Sequence, residues 1–264
     1  MDETHPCAPP VDLIGIVVNE QKPATVQLGE ELHHWLGQRG VTSQIIYLGQ
    51  ESGADFRWRT PEGGAPPRSL FGDALVVLGG DGTLLAASRI AAPARQPMLG
   101  VHMGGFGFLA ECEPSEIYTC VERLLTGDYR VGERLMLRAV VEAEGRETRS
   151  FLALNDAVIA KGTLSRLLHL NAFVGDEFVA AYAADGLIVS TPTGSTGYSL
   201  SAGGPLIHPD VDVLMLTPIC SHGLNVRTLV LPAASRIQLT VENAEDSEAV
   251  VTIDGQIGVP LNPG

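Results

Sequence analysis

Residues 73–90 read Asp-Ala-Leu-Val-Val-Leu-Gly-Gly-Asp-Gly-Thr-Leu-Leu-Ala-Ala-Ser-Arg-Ile. The uninterrupted apolar run Ala74–Leu78 predicts a strand that is buried on both faces, and the apolar spacing after Thr83 predicts a helix. Between them lies the sequence Gly79-Gly-Asp-Gly-Thr83, which we call the GGDGT turn. Such a turn leaves backbone N–H groups unpaired at the helix start, where the helix dipole adds roughly half a positive charge. The stretch therefore predicts a phosphate-binding turn in an α/β domain.

Asp81 conflicts with a simple phosphate site, because its carboxylate would repel a second anion. The conflict disappears if a metal ion lies between the two, or if the carboxylate acts on the substrate. A plain glycine turn is the alternative interpretation of these residues by themselves. The candidate groups for phosphate oxygens are the amides of Gly79 and Gly80 and the helix start at Thr83.

The composition is that of a globular protein. The 264 residues are 45% hydrophobic, which is enough for one large or two medium domains. The net charge of −14 argues against binding to nucleic acid or to an anionic membrane surface. No apolar run is long enough to span a membrane and the first residues lack a basic signal-peptide start, so we expect a cytoplasmic protein.

The first half of the chain alternates between strand and helix patterns. We predict strands over Val11–Val18, Val41–Leu48 and Pro97–Met103, and helices ending at Gly40 and spanning Pro114–Gly127. This order is typical of a Rossmann-like α/β domain with a parallel sheet.

The segment from Gly49 to Ser69 is rich in glycine, proline and charge, so we predict a long loop there. Arg57 and Arg59 flank Trp58 within it. A surface loop and a segment that closes over a nucleotide are both open interpretations.

After residues 128–132 the pattern changes to short strands separated by turn residues. We predict strands over 135–142, 150–154, 174–182, 187–190, 213–216, 228–231, 236–241 and 248–253. The chain is therefore expected to form an α/β domain over 1–131 and a β-rich, sandwich-like domain over 132–264. In one variant of this division the last segment packs back on the first domain.

Two further polar clusters interrupt apolar surroundings in the second half. Asn155-Asp156 ends a predicted strand and offers a donor and several acceptors, which suits a ribose diol, although an Asx turn is the plain alternative. Residues 190–204 contain seven Ser or Thr residues, a tyrosine and four glycines. We interpret that stretch as a wall that lets the backbone approach a polar, planar ligand rather than as a simple connection.

Several common enzyme motifs are absent. Neither lysine completes a P-loop, and Thr193 replaces the first glycine of a hydrolase elbow around Ser195. The dinucleotide-like pattern Gly105–Ala110 lacks the acidic residue that should follow it. The four cysteines and seven histidines have no metal-ligand spacing, which favours structural or idle thiols.

Taken together, the polar clusters resemble the NAD kinase family. The motifs that carry the resemblance are Gly79–Thr83, Leu154–Asp156, Asp185–Leu187, Ser190–Tyr198, Ser201–Gly204, His222, Arg227 and Thr252–Gln256. The resemblance runs from about Val11 almost to the end of the chain.

The resemblance implies transfer of the γ-phosphoryl group of ATP to the 2′-hydroxyl of the adenosine ribose of NAD, which gives NADP. Asp81 is implied as the catalytic base, while Gly79, Gly80 and Thr83 would hold the ATP triphosphate with bridging Mg²⁺ or Mn²⁺. The residues implied in NAD binding are Asp81, Gly82, Phe108, Asn155, Asp156, Arg166, Asp185, Thr196, Gly197, Tyr198, Ser201 and Gln256.

Some of these contacts are implied in more detail. Phe108 would pack on the adenine side, Asn155 and Asp156 would contact adenine or ribose, and Asp185 would hold the nicotinamide carboxamide end. The family also implies an α/β domain plus a β-sandwich-like domain, in a homodimer or homotetramer whose NAD site is completed by a neighbouring subunit. Polyphosphate in place of ATP, NADH in place of NAD, and the metal ligands stay open.

The chain departs from the family pattern at three positions. Asp156 stands where many members have glutamate, Gly197 where alanine is common, and Ala183 where an arginine is frequent.

Two other functions are alternatives to the NAD kinase reaction. The GGDGT turn is shared with lipid kinases of the diacylglycerol-kinase type, although the acidic charge and residues 190–204 argue against a lipid substrate. A non-catalytic dinucleotide-binding regulator is the second alternative.

Overall fold

The computed structural model describes residues 9–50, 56–59, 72–104, 107–142, 148–162, 167–223, 226–242 and 249–261. The chain divides into two compact units, Met1–Gly132 and Glu133–Gly264. Among the described residues, no helix has the length and apolarity needed to cross a membrane.

The first unit is built on a five-stranded sheet in the order β3-β2-β1-β4-β5. Its strands are β1 (Leu13–Asn19), β2 (Thr42–Gln50), β3 (Phe56–Arg59), β4 (Ala74–Gly79) and β5 (Met98–His102). Its helices are α1 (Pro23–Gln38), α2 (Asp81–Ala91) and α3 (Ile117–Thr126). The neighbours β2, β1, β4 and β5 run parallel, and β3 is antiparallel to β2.

Apolar side chains on both faces of β1 and β4 explain why these strands lie in the middle of the sheet. Alternate residues such as Ile16 pack with α1 and α3, while their neighbours such as Val17 pack with α2. The result is three layers, with the sheet between helices, as a parallel sheet with two apolar faces requires. The α/β fold class predicted from the sequence is confirmed for this unit.

The predicted loop over 49–69 is wrong for part of its length. The strand β2 continues to Gln50, and residues 56–59 form the edge strand β3, with Tyr47 opposite Arg59 and Leu48 opposite Trp58 in the register. A short strand of alternating charged and aromatic residues resembles loop composition, and only pairing with β2 distinguishes it. The rest of that segment lies outside the described residues.

The second unit consists of antiparallel sheets. Its strands are β6 (Leu137–Val141), β7 (Arg149–Ala153), β8 (Asp156–Lys161), β9 (Leu168–Val174), β10 (Glu177–Ala184), β11 (Gly186–Ser190), β12 (Val213–Ile219), β13 (Leu229–Pro232), β14 (Ile237–Glu242), β15 (Ala249–Ile253) and β16 (Ile257–Leu261). They form a six-stranded sheet β13-β12-β11-β8-β15-β16, a three-stranded sheet β10-β9-β14 and the hairpin β6-β7. Among the described residues of this unit lie one short α-helix, α4 (Tyr198–Ser201), and a 3₁₀ helix over Thr193–Thr196 just before it.

The two larger sheets share one apolar core. Leu168 and Leu170 of β9 pack in the same cluster as Leu187 of β11 and Ile253 of β15. The predicted β-rich, sandwich-like fold is therefore confirmed. The strand predicted over 174–182 was misplaced at its start, because Gly175, at φ +61°, turns the chain between β9 and β10. The strands β8, β9 and β16 were not predicted as such.

Candidate active site

The GGDGT turn joins β4 to α2 and places Asp81 at the first residue of the helix. Gly80 caps the helix in an extended conformation, with φ −106° and ψ −173°, and its carbonyl accepts the N–H groups of Thr83 and Leu84 at 2.9 and 3.2 Å. Gly79 has no space for a side chain, since a Cβ there would overlap the side chain of Thr83. The helix therefore begins two residues earlier than its apolar spacing predicts.

The carboxylate of Asp81 is held by a segment that follows β5. Its Oδ2 accepts the backbone N–H of Phe108 at 3.1 Å, and its Oδ1 accepts that of Leu109 at 3.3 Å. Gly107 makes this approach possible, because a Cβ at that position would lie 2.9 Å from Cγ of Asp81 and closer still to Oδ1. A carboxylate has about four lone-pair sites, so capacity to accept a further proton donor remains.

The amides at the start of α2 differ in availability. No hydrogen bond from the amides of Gly80 and Asp81 exists among the described residues, which is the usual state of a helix N-terminus. The amide of Thr83, by contrast, donates to Gly80, and its side chain is buried against Gly79. Thr83, predicted as a phosphate-binding position, thus supports the shape of the turn.

Phe108 combines a fixed backbone with an exposed ring. Its amide is bonded to Asp81, yet the residue is 76% exposed. Burying a phenylalanine stabilises a protein by about 1.5–3 kcal/mol, so an exposed ring beside a polar group is a candidate contact for a planar ligand. The structure thus brings Asp81, Gly82 and Phe108 together within the first unit.

In the second unit, Asn155 and Asp156 form a corner between β7 and β8 that is tied to a distant turn. The carboxylate of Asp254 accepts the N–H groups of Leu154, Asn155 and Asp156 at 3.2, 2.8 and 3.2 Å. Gly194 packs directly on the backbone of Asn155, where a Cβ would overlap the carbonyl oxygen.

The same corner holds polar groups with little access to water. Asp156 is 5% exposed, and burial, followed by the negative charge of Asp254, raises its pKa from 3.8 to about 6. The Oδ1 atom of Asn155 and the hydroxyl of Ser190 are buried without a hydrogen-bond partner among the described residues. Ser190 lies opposite Asp156 in the β8–β11 register, so both side chains project from the same face of the sheet. Unsatisfied buried polar atoms of this kind suit a polar ligand.

The hydroxyl-rich stretch after β11 separates into buried and accessible residues. The buried hydroxyls serve the fold: Thr191 donates to the Leu154 carbonyl and accepts from the Gly194 amide, and Ser199 bonds with Thr217. The predicted ligand-binding residues of this stretch are the more accessible ones, namely Thr196, Gly197, Tyr198 and Ser201. The wall predicted from composition is therefore only partly available to a ligand.

Asp185 is not brought to the Asn155-Asp156 corner. It precedes β11, whereas Asp156 lies opposite Ser190 at the other end, roughly 16 Å away at the rise of an extended strand. Its carboxylate pairs with the ammonium of Lys161 at 2.7 Å, and each side chain is about one third exposed. Ala183 leaves no charged group at its own position, and its carbonyl accepts the amide of His222 at 3.0 Å.

The remaining predicted positions are Gln256 and Arg166. Gln256 is half-buried in the turn between β15 and β16, where its amide donates to Ile253 at 2.9 Å. Arg166 lies outside the described residues. Within the described part of the chain, no group of three or more His, Cys, Asp or Glu side chains is arranged to hold a metal ion.

The structural roles of two residues of this site were missed by sequence reasoning, although Asp254 lies in the Thr252–Gln256 motif. Gly107 was considered only as part of a dinucleotide-like pattern, and nothing local indicates that it makes room for Asp81. Asp254 stands in an Asp-Gly pair, which predicts a hairpin turn, but not a carboxylate that reaches residues 98 to 100 positions earlier in the chain.

Comparison with known proteins shows the family of this chain. The family model of the ATP-NAD kinase N-terminal domain matches residues 14–129, and that of the ATP-NAD kinase C-terminal domain matches residues 154–264. The chain belongs to the NAD kinase family. It is 45% identical over 253 residues to the NAD kinase of Heliobacterium modesticaldum, covering 94% of this chain and 86% of that one. It is 42% identical to the NAD kinase of Citrifermentans bemidjiense, covering 95% and 87%.

Solved structures agree with the family assignment. The crystal structure of yeast NADH kinase complexed with NADH has a TM-score of 0.82 at 26% identity, covering 97% of this chain and 79% of that one. An NAD kinase from Archaeoglobus fulgidus, solved in complex with ATP, has a TM-score of 0.71 at 22% identity, covering 95% and 87%, and supports the fold alone. The NAD kinase activity expected from the resemblance is thereby confirmed, and the relatives do not support the lipid kinase alternative.

Proposed function

We propose that this NAD kinase transfers the γ-phosphoryl group of ATP to the 2′-hydroxyl of the adenosine ribose of NAD, with Asp81 as the catalytic base. The observation that supports this role is the position of Asp81: a carboxylate at the start of α2, held by two amides, beside backbone N–H groups that suit phosphate. The conflict between an acidic residue and an anion site then disappears, since amides take the phosphate and the carboxylate takes the hydroxyl.

Phosphoryl transfer depends mainly on positioning and on stabilisation of negative charge. In this proposal the 2′-hydroxyl donates its hydrogen bond to Asp81, which receives the proton as the new O–P bond forms. A positioned general base contributes about 10²- to 10⁴-fold to the rate. The bonds from Phe108 and Leu109 would keep the carboxylate in one orientation during that step.

The triphosphate is proposed to bind at the amides of Gly80 and Asp81, with Gly79 and Thr83 keeping the turn in shape. Mg²⁺ or Mn²⁺ would arrive as part of the nucleotide substrate, because Mg²⁺ in kinases is bound largely by substrate phosphates and one or two carboxylates.

The NAD molecule is proposed to contact three groups of residues. The ring of Phe108 would pack on adenine, and Asn155 and Asp156 would bind adenine or ribose. The accessible residues Thr196, Gly197, Tyr198 and Ser201, together with Gln256 and Arg166, would line the pocket. Asp185 is the exception, since it lies at the other end of β11 from Asp156. We therefore propose that the nicotinamide carboxamide is contacted by the Asp185 that a neighbouring subunit supplies.

Several properties stay predictions. A homodimer or homotetramer would supply the neighbouring subunit, and light scattering of the purified protein would test it. Cytoplasmic residence, the use of polyphosphate in place of ATP, and the use of NADH in place of NAD also stay predictions.

The experiment that tests the reaction uses purified protein, ATP, Mg²⁺ and NAD, with NADP formation read by a coupled dehydrogenase. The Asp81→Asn variant should bind NAD with near-normal affinity and lose about 10²- to 10⁴-fold in kcat. Asp12→Asn, an exposed change in the same unit, is the control and should leave kcat unchanged. An Asp81→Asn enzyme with near-normal turnover would remove the base assignment, and a wild-type protein that forms no NADP would remove the reaction itself.

A further inference from the structure

Asp254 makes contacts that its turn does not require. It follows β15 and adopts φ +49°, and Gly255 follows at φ +63°, so the pair forms a hairpin turn of the kind for which Asp-Gly is favoured. A turn of this type needs the backbone conformation, not the carboxylate. Asp254 is nevertheless only 8% exposed, with its carboxylate directed at the Asn155-Asp156 corner.

The contacts of Asp254 determine the path of the chain at that corner. One carboxylate receives three consecutive amides, from Leu154, Asn155 and Asp156, and the amide of Asp254 donates to the carbonyl of Asp156 at 2.9 Å. Hydrogen bonds to an ionised acceptor are about twice as strong as neutral ones and offset the cost of burying the charge. Removing them would leave buried amides without partners and let the corner rotate.

We propose that Asp254 is a positioning residue for dinucleotide binding, whose carboxylate holds the Asn155-Asp156 corner in its binding orientation. This inference rests on the proposed role of Asn155 and Asp156 in NAD binding. Asp254 acts through the backbone of these residues and is not itself a contact to the ligand.

The charge of Asp254 has a second consequence, for the ionisation of Asp156. The strands β11 and β15 and the segment 191–204 contain no charged side chain, and Tyr198 is their only titratable residue. Asp254 is therefore the charged group that the elements packed against Asp156 place beside it. An ionised Asp156 accepts hydrogen bonds from ribose hydroxyls, so NAD affinity should fall as the pH drops through about 6. Removing the charge of Asp254 should move that transition to lower pH.

The first test is the Asp254→Asn variant of the full chain, with NAD dissociation constants measured by calorimetry from pH 5 to pH 8.5 or so. Asparagine keeps one acceptor oxygen but loses the charge and turns an N–H₂ group toward one of the three amides. We expect NAD affinity to fall about tenfold at pH 8 and the pH transition to move down, while the KM for ATP stays unchanged. Asp176→Asn, in the exposed β9–β10 turn, makes the same chemical change and should alter neither quantity.

Two results would overturn the inference: an affinity within twofold of wild type with an unmoved transition, or a uniform loss of affinity at every pH with an unmoved transition. The second result would indicate general loosening of the fold.

A second measurement does not depend on the folding of Asp254→Asn or on activity. It is hydrogen exchange of the wild-type protein, followed by NMR. The amides of residues 154, 155 and 156 should all be protected from exchange with solvent, since all three donate to the Asp254 carboxylate. Rapid exchange of these amides would overturn the inference, whereas a wild-type protein that fails to bind NAD would overturn the proposed function instead.

Discussion

Because Asp81 lies so close to Gly107, one methyl group added at residue 107 tests how the carboxylate that we propose as the catalytic base is held in place. The change Gly107→Ala adds a Cβ that would lie 2.9 Å from Cγ of Asp81 and 3.1 Å from Oδ2. Non-bonded carbon atoms pack at about 3.5–4.0 Å, so the carboxylate has to move by roughly 1 Å. That movement lengthens or breaks the bonds from Phe108 and Leu109.

The expected loss follows from the size of this displacement. Misplacing a reacting group by about 1 Å costs about 10²-fold in rate, which lies within the 10²- to 10⁴-fold contribution of a general base. We therefore expect Gly107→Ala to lower kcat about 100-fold. The KM for ATP should change less than threefold or so, because the amides of Gly80 and Asp81 stay in place.

The assay is NADP formation at saturating ATP and NAD, with circular dichroism and thermal unfolding to verify the fold. Gly37→Ala is the matched control, since a Cβ at that position of α1 meets no neighbour. It should keep wild-type kcat and gain up to about 1 kcal/mol of stability from helix propensity. A folded Gly107→Ala enzyme with kcat within threefold of wild type would refute the idea that these contacts place the base.

Three further changes have distinct expected results. Replacing the exposed ring in Phe108→Ser should weaken NAD binding about 5- to 150-fold, since stacking on a base is worth about 1–3 kcal/mol, without lowering the melting temperature; unchanged affinity would remove the adenine contact. Thr191→Val leaves the Leu154 carbonyl and the Gly194 amide without their buried partner, so urea titration should find it less stable by about 1–3 kcal/mol; equal stability would contradict the structural role of that hydroxyl. The pKa of Asp156 is raised from 3.8 to about 6 in the folded protein, so the folded state holds this proton more tightly than the unfolded chain does. The contribution of Asp156 to the free energy of unfolding therefore falls as the pH rises from about 4 to about 6, and it is constant above that range. Asp156→Asn should consequently be more stable than wild type at pH 8 by roughly 3 kcal/mol, with the difference vanishing near pH 4; equal unfolding free energies at pH 8 would contradict it.

Sequence patterns predicted the elements whose signals are local. The apolar run of β4, the glycine turn and the helix α2 follow one another within eighteen residues, and the structure has them in that order. The β9–β10 hairpin was missed although it has a local signal, because Gly175-Asp176 between two β-like runs is a two-residue hairpin turn. The edge strand β3 was missed for the opposite reason, since its charged residues resemble a loop until they pair with β2.

The predicted residues of the candidate site divide in the same way. Asp81, Asn155 and Asp156 could be named from motifs because each is a polar residue that stands out against its neighbours, whereas Phe108 was named only because the resemblance to NAD kinases implies it. Their partners could not be named. Leu109 is 28 residues from Asp81 in the chain and donates through its backbone, which is the same in every residue type except proline.

The sequence by itself determined that an acidic residue stands in a glycine turn between a buried strand and a helix, because strand, turn and helix signals depend on near neighbours. Only the tertiary structure decided what that acidic residue does with its two oxygens. It brings the 107–109 segment to the start of α2, where the amides of Phe108 and Leu109 donate to the carboxylate, which can still accept further hydrogen bonds. Likewise it brings Asp254 beneath residues 154–156. Contacts between backbone amides and a distant side chain leave no residue-type pattern in the sequence, because every residue except proline carries the same N–H donor. Only the tertiary structure determines which of these amides lie within hydrogen-bond distance of a carboxylate.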